Sequence, residues 1–470
     1  MKIRQKSQRF QNRRTQLGAV LTTTTAALLL LGSITICSAK GKPGGGGGGG
    51  EDPPTPPIGE YPTMSATPIN YEIRSFDAAD PADCAYPDVP WKDGTDPWTQ
   101  FLDINRDGVA VGYVRLDSGN GDSYAVMATV AAGLQDLNSV FAESLDTPEL
   151  AGFHIKYAEE INANGWVACL LTHPSSEDYW AAVGNIDASN SLRIIRGQLR
   201  AQFRPELSPV VADLNENGDL LVMENFTTPL RKGVQWNYNH WLYLATEDPS
   251  GDLHYDVENP DYLTPFLSSN NSSRPTMTTT DLQIAYHSEE GLHRLDLTSG
   301  EDLLVPGGRS RGIADDGSVS TQIVTKEGSR KVTQEELPCL WTPEGGLQPL
   351  VGAPGFASTR DLRGTVRYVK DVSAALPGEG EVVEVLMSIG SDIFYSDEEL
   401  EIYRADGGSG TNFPVRVIAG DLVPLGIGEI RAISRPNVSG TGLICGEADG
   451  GLRVGGENIH AGIILTPIAP

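Results

Sequence analysis

Asp213-Leu-Asn-Glu-Asn-Gly-Asp-Leu-Leu-Val-Met-Glu224 (DLNENGDLLVME) matches the twelve-residue calcium-loop template, with Gly218 at position six and Glu224 at position twelve. Its reading decides the fold: a calcium loop needs a helix on either side, whereas a turn between strands needs only an Asn and a Gly. Pro205 and Pro209 precede the stretch and the β-favouring Asn225-Phe-Thr-Thr-Pro229 follows it. Both flanks argue against helices.

Relatives of the stretch recur within the chain. Aligned on the turn glycine they are INRDGVAVG from Ile104, INANGWVAC from Ile161, LNENGDLLV from Leu214, IADDGSVST from Ile313, LPGEGEVVE from Leu376 and VSGTGLICG from Val438. The twelfth-position acid is not shared: counted from Asp103 the equivalent residue is Val114, and from Glu160 it is Leu171. Asn and Gly tolerate positive φ, so Asn-x-x-Gly is ordinary hairpin chemistry, and Glu224 reads as a polar residue on a strand. A calcium site at Asp213, Asn215, Asn217 and Glu224 is the weaker alternative, and no other cofactor is expected.

A second element follows each first one: AVMATVAAGLQDL, YWAAVGNIDASNSLRII, WLYLATEDPSGDLHYDV, GLHRLDLTSGEDLLV, CLWTPEGGLQPLV, EIYRADGGSG and GIILTPIAP. The fourth of these has a degenerate partner, MTTTDLQIA from Met277. Centred on Ala128, Val183, Leu244, Leu295, Trp341, Tyr403 and Leu465, they define repeating units of short strands. Repeats of this kind predict an all-β chain folded as a β-propeller of seven blades, with six or eight also compatible because the Met277 unit is poorly formed.

The last unit stops soon after Leu465 and lacks an outgoing strand, while Tyr71-Glu-Ile-Arg-Ser-Phe-Asp77 is strand-like with no first element before it. Pairing the two would close the ring and remove both sheet edges. Long amphipathic helical periodicity is absent after residue 40, and 53 glycines and 31 prolines interrupt the chain at short intervals.

Three segments are expected: 1–39 an export signal, 40–68 a linker and 69–470 the repeat domain. The first carries six basic residues and no acid, then an apolar run from Leu17 to Ile36 and small residues before Lys40. The linker holds seven consecutive glycines, Gly44 to Gly50, followed by EDPPTPPIGEYP, a composition that cannot bury a core. Removing residues 1–39 takes the net charge from −27 to −33. That balance disfavours nucleic acid and anionic membrane as partners. A secreted or bacterial cell-surface location is expected, as a monomer with no membrane insertion of the mature domain. Of the remaining cysteines, Cys169, Cys339 and Cys445 fall in apolar repeat strands and read as buried hydrophobes; with Cys84 they are too few for a disulfide framework.

The Cys339 element CLWTPEGGLQPL, the INxxGxVVG-like elements and the C-terminal HAGIILTP from His460 together resemble the bacterial extracellular HAF-repeat proteins. The resemblance spans most of residues 70–470, although only His460 keeps the His-Ala pair. It implies an exported propeller-like domain and brings no catalytic residues.

Chemistry is sparsely marked. There is no HExxH, no Cys-x-x-Cys and no Gly-rich phosphate loop, so zinc and nucleotide sites have no support. The closest-spaced histidines of the apolar repeats, His287 and His293, read as surface residues across a turn. Acids suited to glycoside chemistry, such as Asp178, Asp397 and Glu398, read as loop charges. Trp91, Trp98 and Trp236 are the candidate ligand-binding aromatics, with packing under long loops as the competing role. The function expected is a non-enzymatic recognition or structural module that binds an extracellular polysaccharide or protein. The rival expectation is a carbohydrate-active hydrolase or lyase using loop carboxylates.

Overall fold

The repeat signal predicts strands, and the computed structural model is built of them. It describes residues 63–469 apart from 86–88, 92–96, 117–121, 175, 195–208, 217, 230–235, 248–252, 255–266, 270–274, 279–282, 289, 308–309, 327–334, 351–362, 369–371, 375–380, 391–398, 406–409, 422–432, 439–441 and 453–457. Among these residues helix is confined to Leu137–Val140, Ala142–Leu145 and a 3-10 turn at Pro81–Asp83. Residues Thr55–Pro470 form one compact unit.

Each repeat is an antiparallel meander. The first runs Trp98–Ile104, Ala110–Arg115, Ser123–Thr129 and Gly133–Asp136. The second runs His154–Ile161, Trp166–His173, Ser176–Asn185 and Arg193–Ile194. In the third, Pro209–Leu214, Leu220–Pro229 and Trp236–Glu247 are followed by Leu253–His254, with Leu267–Ser269 also paired to Trp236–Glu247. The degenerate Met277 element supplies Thr276–Met277 and Gln283–His287 of the fourth, continued by Leu292–Asp296 and Asp302–Val305. Strands, not helices, therefore flank the Asp213 loop.

The expected count of seven separate blades needs correction, because hydrogen bonding groups the strands into five sheets. The last three repeats share a single sheet of 14 strands. Two parallel contacts join them. Glu336 of strand Glu335–Thr342 pairs with Arg363, and Ile69–Ile73 pairs with the Val415–Gly420 stretch of strand Thr411–Gly420. Strand alternation fixes pairing within a repeat, but whether neighbouring repeats also share backbone bonds depends on how their outer strands run past each other.

Ring closure is as expected. Strand Ile69–Phe76 pairs antiparallel with the last strand, Asn458–Pro467, from Tyr71 opposite Pro467 to Phe76 opposite Gly462. Tyr71, Ile73 and Phe76 are almost fully buried there. The Tyr71 hydroxyl donates to the Gly442 carbonyl at 3.0 Å. Arg74 bridges Asp83 and Asp421 on the outer side, at 2.6 and 2.8 Å. Successive repeats pack side by side, and strands Ile433–Val438 and Ile444–Leu452 of the last repeat pack on Trp98–Ile104 of the first. The arrangement is a β-propeller closed by its N-terminal strand.

The apolar residues of the repeat strands form cores between neighbouring units. Val111 and Ala125 of the first repeat meet Ile155, Val167, Cys169 and Leu171 of the second. Phe76 of the closing strand meets Phe101 edge to face at 5.4 Å, beside Cys445 and Ile464 of the last repeat. Gly462 allows that contact, since a Cβ there would stand 2.7 Å from the Phe101 ring. Cys169, Cys339 and Cys445 are buried thiols, and burial pushes Cys339 up to about 12.

Candidate functional site

The Asn-x-x-Gly turns have one geometry. In three of them the Asn N–H donates to the carbonyl four residues on and the Gly N–H donates back to the Asn carbonyl: Asn105 with Val109 and Gly108, Asn162 with Trp166 and Gly165, Asn215 with Asp219 and Gly218. Ala314 with Ser318 and Gly317 repeats the pattern without the amide. Gly108, Gly165, Gly218 and Gly317 lie at φ of +76° to +81°, the left-handed conformation that closes a three-residue hairpin.

The Asn side chains then reach sideways. Asn105 Oδ1 accepts the N–H groups of Asp107 and Val109, while its Nδ2 donates to the Asn162 carbonyl of the next repeat at 3.1 Å. Asn162 repeats this toward Asn215, donating at 2.7 Å. A buried acid just before each of two turns makes a second clip. Asp103 accepts from Ile104 N–H and from Ile161 N–H of the next repeat, at 2.9 and 2.8 Å. Asp213 does the same with Leu214 and Met277, at 2.8 and 2.7 Å.

Of the four candidate calcium ligands, Asp213 is therefore engaged with two backbone donors. Asn215 accepts from Asp219 N–H at 2.8 Å and donates to the Asp219 carboxylate at 2.9 Å. Asn217 lies outside the described residues. Glu224 is a strand residue opposite Pro209 and Trp241, and its side chain lies outside the described set. Among the described residues, no three His, Cys, Asp or Glu side chains converge as a metal would require.

Trp91 is 1% exposed and packs in the core between the closing strand and the first repeat. Trp98 opens the first inner strand, half-buried, with the Arg115 guanidinium 5.7 Å from its ring. Trp236 begins its strand opposite Pro229, and its side chain lies outside the described residues. Asp178 falls within strand Ser176–Asn185 rather than on a loop, at the irregularity where the pairing to Trp166–His173 shifts from Tyr179 to Ser176. Asp397 and Glu398 lie outside the described residues.

Away from the Asn turns, the first two repeats carry half-buried aromatic rings, with Tyr113 and Tyr124 on opposite faces of the first sheet. Tyr113 and Tyr157 meet edge to face at 4.9 Å, and Lys156 Nζ lies 5.7 Å from the Tyr157 ring. Tyr124 and His154 stand 6.1 Å apart. Burial lowers the His154 pKa and outweighs the nearby Asp122, and burial raises that of Tyr124. These rings combine apolar faces with polar edges, and charged groups surround them.

His293 is 8% exposed, which corrects its expected surface position. The hairpin places it opposite Tyr286, and the two rings stack at 5.0 Å and 16°. Its Nδ1 lies 3.1 Å from Asp302 Oδ1 and its Nε2 lies 2.8 Å from Ser288 Oγ, while the Tyr286 hydroxyl donates to Asp302 Oδ2 at 2.8 Å. This cluster was not singled out from sequence. The signal was the short Ser288–Gly291 turn, whose register sets Tyr286 across from His293.

No family model matches the chain, and no curated protein does either. Among solved structures it is similar to the β-propeller domain of the Trilobed protease from Pyrococcus furiosus, which has an open velcro topology: TM-score 0.40, 7% identity, 80% of this chain and 99% of that one. A polysaccharide lyase, an ulvan lyase, aligns at TM-score 0.32 and 9% identity over 80% of this chain and 94% of that one. A Bacillus megaterium levansucrase aligns at 0.26 and 11%, over 68% and 84%. The fold assignment rests on the strand pairing and ring closure described above.

Proposed function

We propose that the chain is an exported recognition module that binds an extracellular polysaccharide through the aromatic end of its first two repeats. The observation that carries this reading is the set of half-buried rings Trp98, Tyr113 and Tyr157: Trp98 and Tyr113 share one face of the first repeat, and Tyr113 meets Tyr157 of the second. Aromatic faces stack on the apolar faces of sugar rings while Arg115 and Lys156 supply polar partners at the edges. The inter-repeat clips hold the other end rigid, which leaves this one to vary without cost to the ring. The basic, then apolar N-terminal segment supports export, and the resemblance of the Cys339 and His460 elements to HAF-repeat proteins supports an extracellular setting.

Affinity electrophoresis with neutral and acidic polysaccharides tests the proposal. One polymer of the panel is expected to retard the protein without being shortened. Trp98→Ala and Tyr157→Ala are each expected to weaken retardation about tenfold, equivalent to ~1.4 kcal/mol. Retardation by no polymer, or equal retardation of both variants and the parent, would refute the reading.

A further inference from the structure

We propose that Ser288, His293 and Asp302 form a nucleophilic serine site that acts on short, uncharged carboxylic esters. The inference is independent of polysaccharide binding. Its basis is a directional chain of hydrogen bonds across three strands of the fourth repeat. Asp302 Oδ2 accepts the Tyr286 hydroxyl at 2.8 Å, and Asp302 Oδ1 lies 3.1 Å from His293 Nδ1. An ionised Asp302 carries no proton to donate, so Nδ1 bears the imidazole proton and Nε2 is left as the acceptor. Nε2 lies 2.8 Å from Ser288 Oγ, within reach of its hydroxyl proton. Nucleophile, base and orienting carboxylate thus stand in the order that serine hydrolases of unrelated folds share.

The surroundings suit the role. His293 is held between neighbouring strands and stacked on Tyr286, so its ring orientation is fixed. Ser288 follows strand Gln283–His287 at the end opposite the Asn turns and is partly exposed, so a substrate can reach it. The Ser288 N–H donates to the Gly291 carbonyl at 2.8 Å, where Gly291 at φ +138° shapes a tight hairpin. The Glu290 N–H donates to Ser288 Oγ at 3.0 Å, which holds the hydroxyl with its own proton free to be directed at His293 Nε2.

The chemistry balances with water alone. Ser288 Oγ bonds to the ester carbonyl carbon as its proton passes to His293 Nε2, and the carbonyl electron pair moves onto oxygen. Collapse breaks the bond to the alcohol, which takes the proton from Nε2. Water then repeats both steps on the acyl-serine, releasing the carboxylic acid and restoring Ser288. The exposed Glu290 and Asp302 repel anionic acyl groups, which selects uncharged ones.

The full chain is treated with a fluorophosphonate probe, followed by peptide mass analysis, and separately with p-nitrophenyl acetate. One adduct on Ser288 is expected. Ser288→Ala should abolish it, His293→Gln should slow it at least tenfold, and the exposed-serine control Ser299→Ala should leave it unchanged. Acetate release should follow the same order. A thermal melt of each variant identifies any that is unfolded, and Asp302→Asn, expected to slow labelling with the fold retained, serves if His293→Gln fails to fold. Absence of labelling in the folded parent, or labelling that persists in folded Ser288→Ala, would overturn the proposal and leave the chain of bonds as a clip between strands.

Discussion

Asp213→Ala separates the clip from a calcium site. The Asp213 side chain is fully buried, and its oxygens accept Leu214 N–H at 2.8 Å and Met277 N–H at 2.7 Å. Truncation leaves two buried donors without those acceptors, at about 1–3 kcal/mol each, and relaxation of the turn recovers part of that. The expected loss is about 3 kcal/mol. For a unit of roughly 400 residues unfolding with about 2.1 cal/mol/K per residue, this lowers the thermal midpoint by about 3–4 °C. Asp107→Ala, on an exposed position of the equivalent turn in the first repeat, should stay within about 0.5 kcal/mol of the parent. The melts are run in excess EDTA and in millimolar calcium. A clip gives the same loss in both. If calcium raises the parent midpoint by several degrees, and Asp213→Ala abolishes that gain, the carboxylate is a metal ligand and the clip argument fails. A midpoint within 1 °C of the parent in both buffers would show that the two N–H groups find other partners.

Deleting residues 69–76 removes three almost fully buried side chains, Tyr71, Ile73 and Phe76, worth about 1.5–3 kcal/mol each, and bares the edge of strand Asn458–Pro467. The total rivals the net stability of a typical domain, so aggregation in size-exclusion chromatography is expected; a soluble monomer with the parent's midpoint would contradict the closure argument. The His154 pKa is lowered by burial, so the unfolded chain binds the proton more readily than the native one. Stability therefore falls as pH drops through about 6.5, the unfolded value, toward the lower native value. His154→Gln should lose less stability than the parent between pH 8 and pH 5.5, and parallel midpoint-against-pH curves would sink this assignment.

Which features could be read from sequence follows from whether their cause is local. Asn-x-x-Gly was legible because a turn glycine at positive φ leaves a mark at one position, repeated at Gly108, Gly165, Gly218 and Gly317. Closure was legible because a strand lacking a partner at one end of the chain matched a repeat lacking a strand at the other. The clip was partly legible: Asp103-Ile-Asn, Glu160-Ile-Asn and Asp213-Leu-Asn place an acid before each apolar-Asn pair. Yet the partners of Asp103 and Asp213 lie one repeat away, at Ile161 and Met277, and only the assembled ring brings them near. Sheet grouping was hidden for the same reason, since Glu336 meets Arg363 through the relative course of two outer strands. His293 shows the limit most clearly. Polar by type and close to a turn, it reads as exposed, but hairpin register sets it against Tyr286, and Ser288 and Asp302 then occupy both of its ring nitrogens. A buried imidazole becomes tolerable only when both nitrogens have partners, so the pairing that hides His293 from solvent is also what arms Ser288.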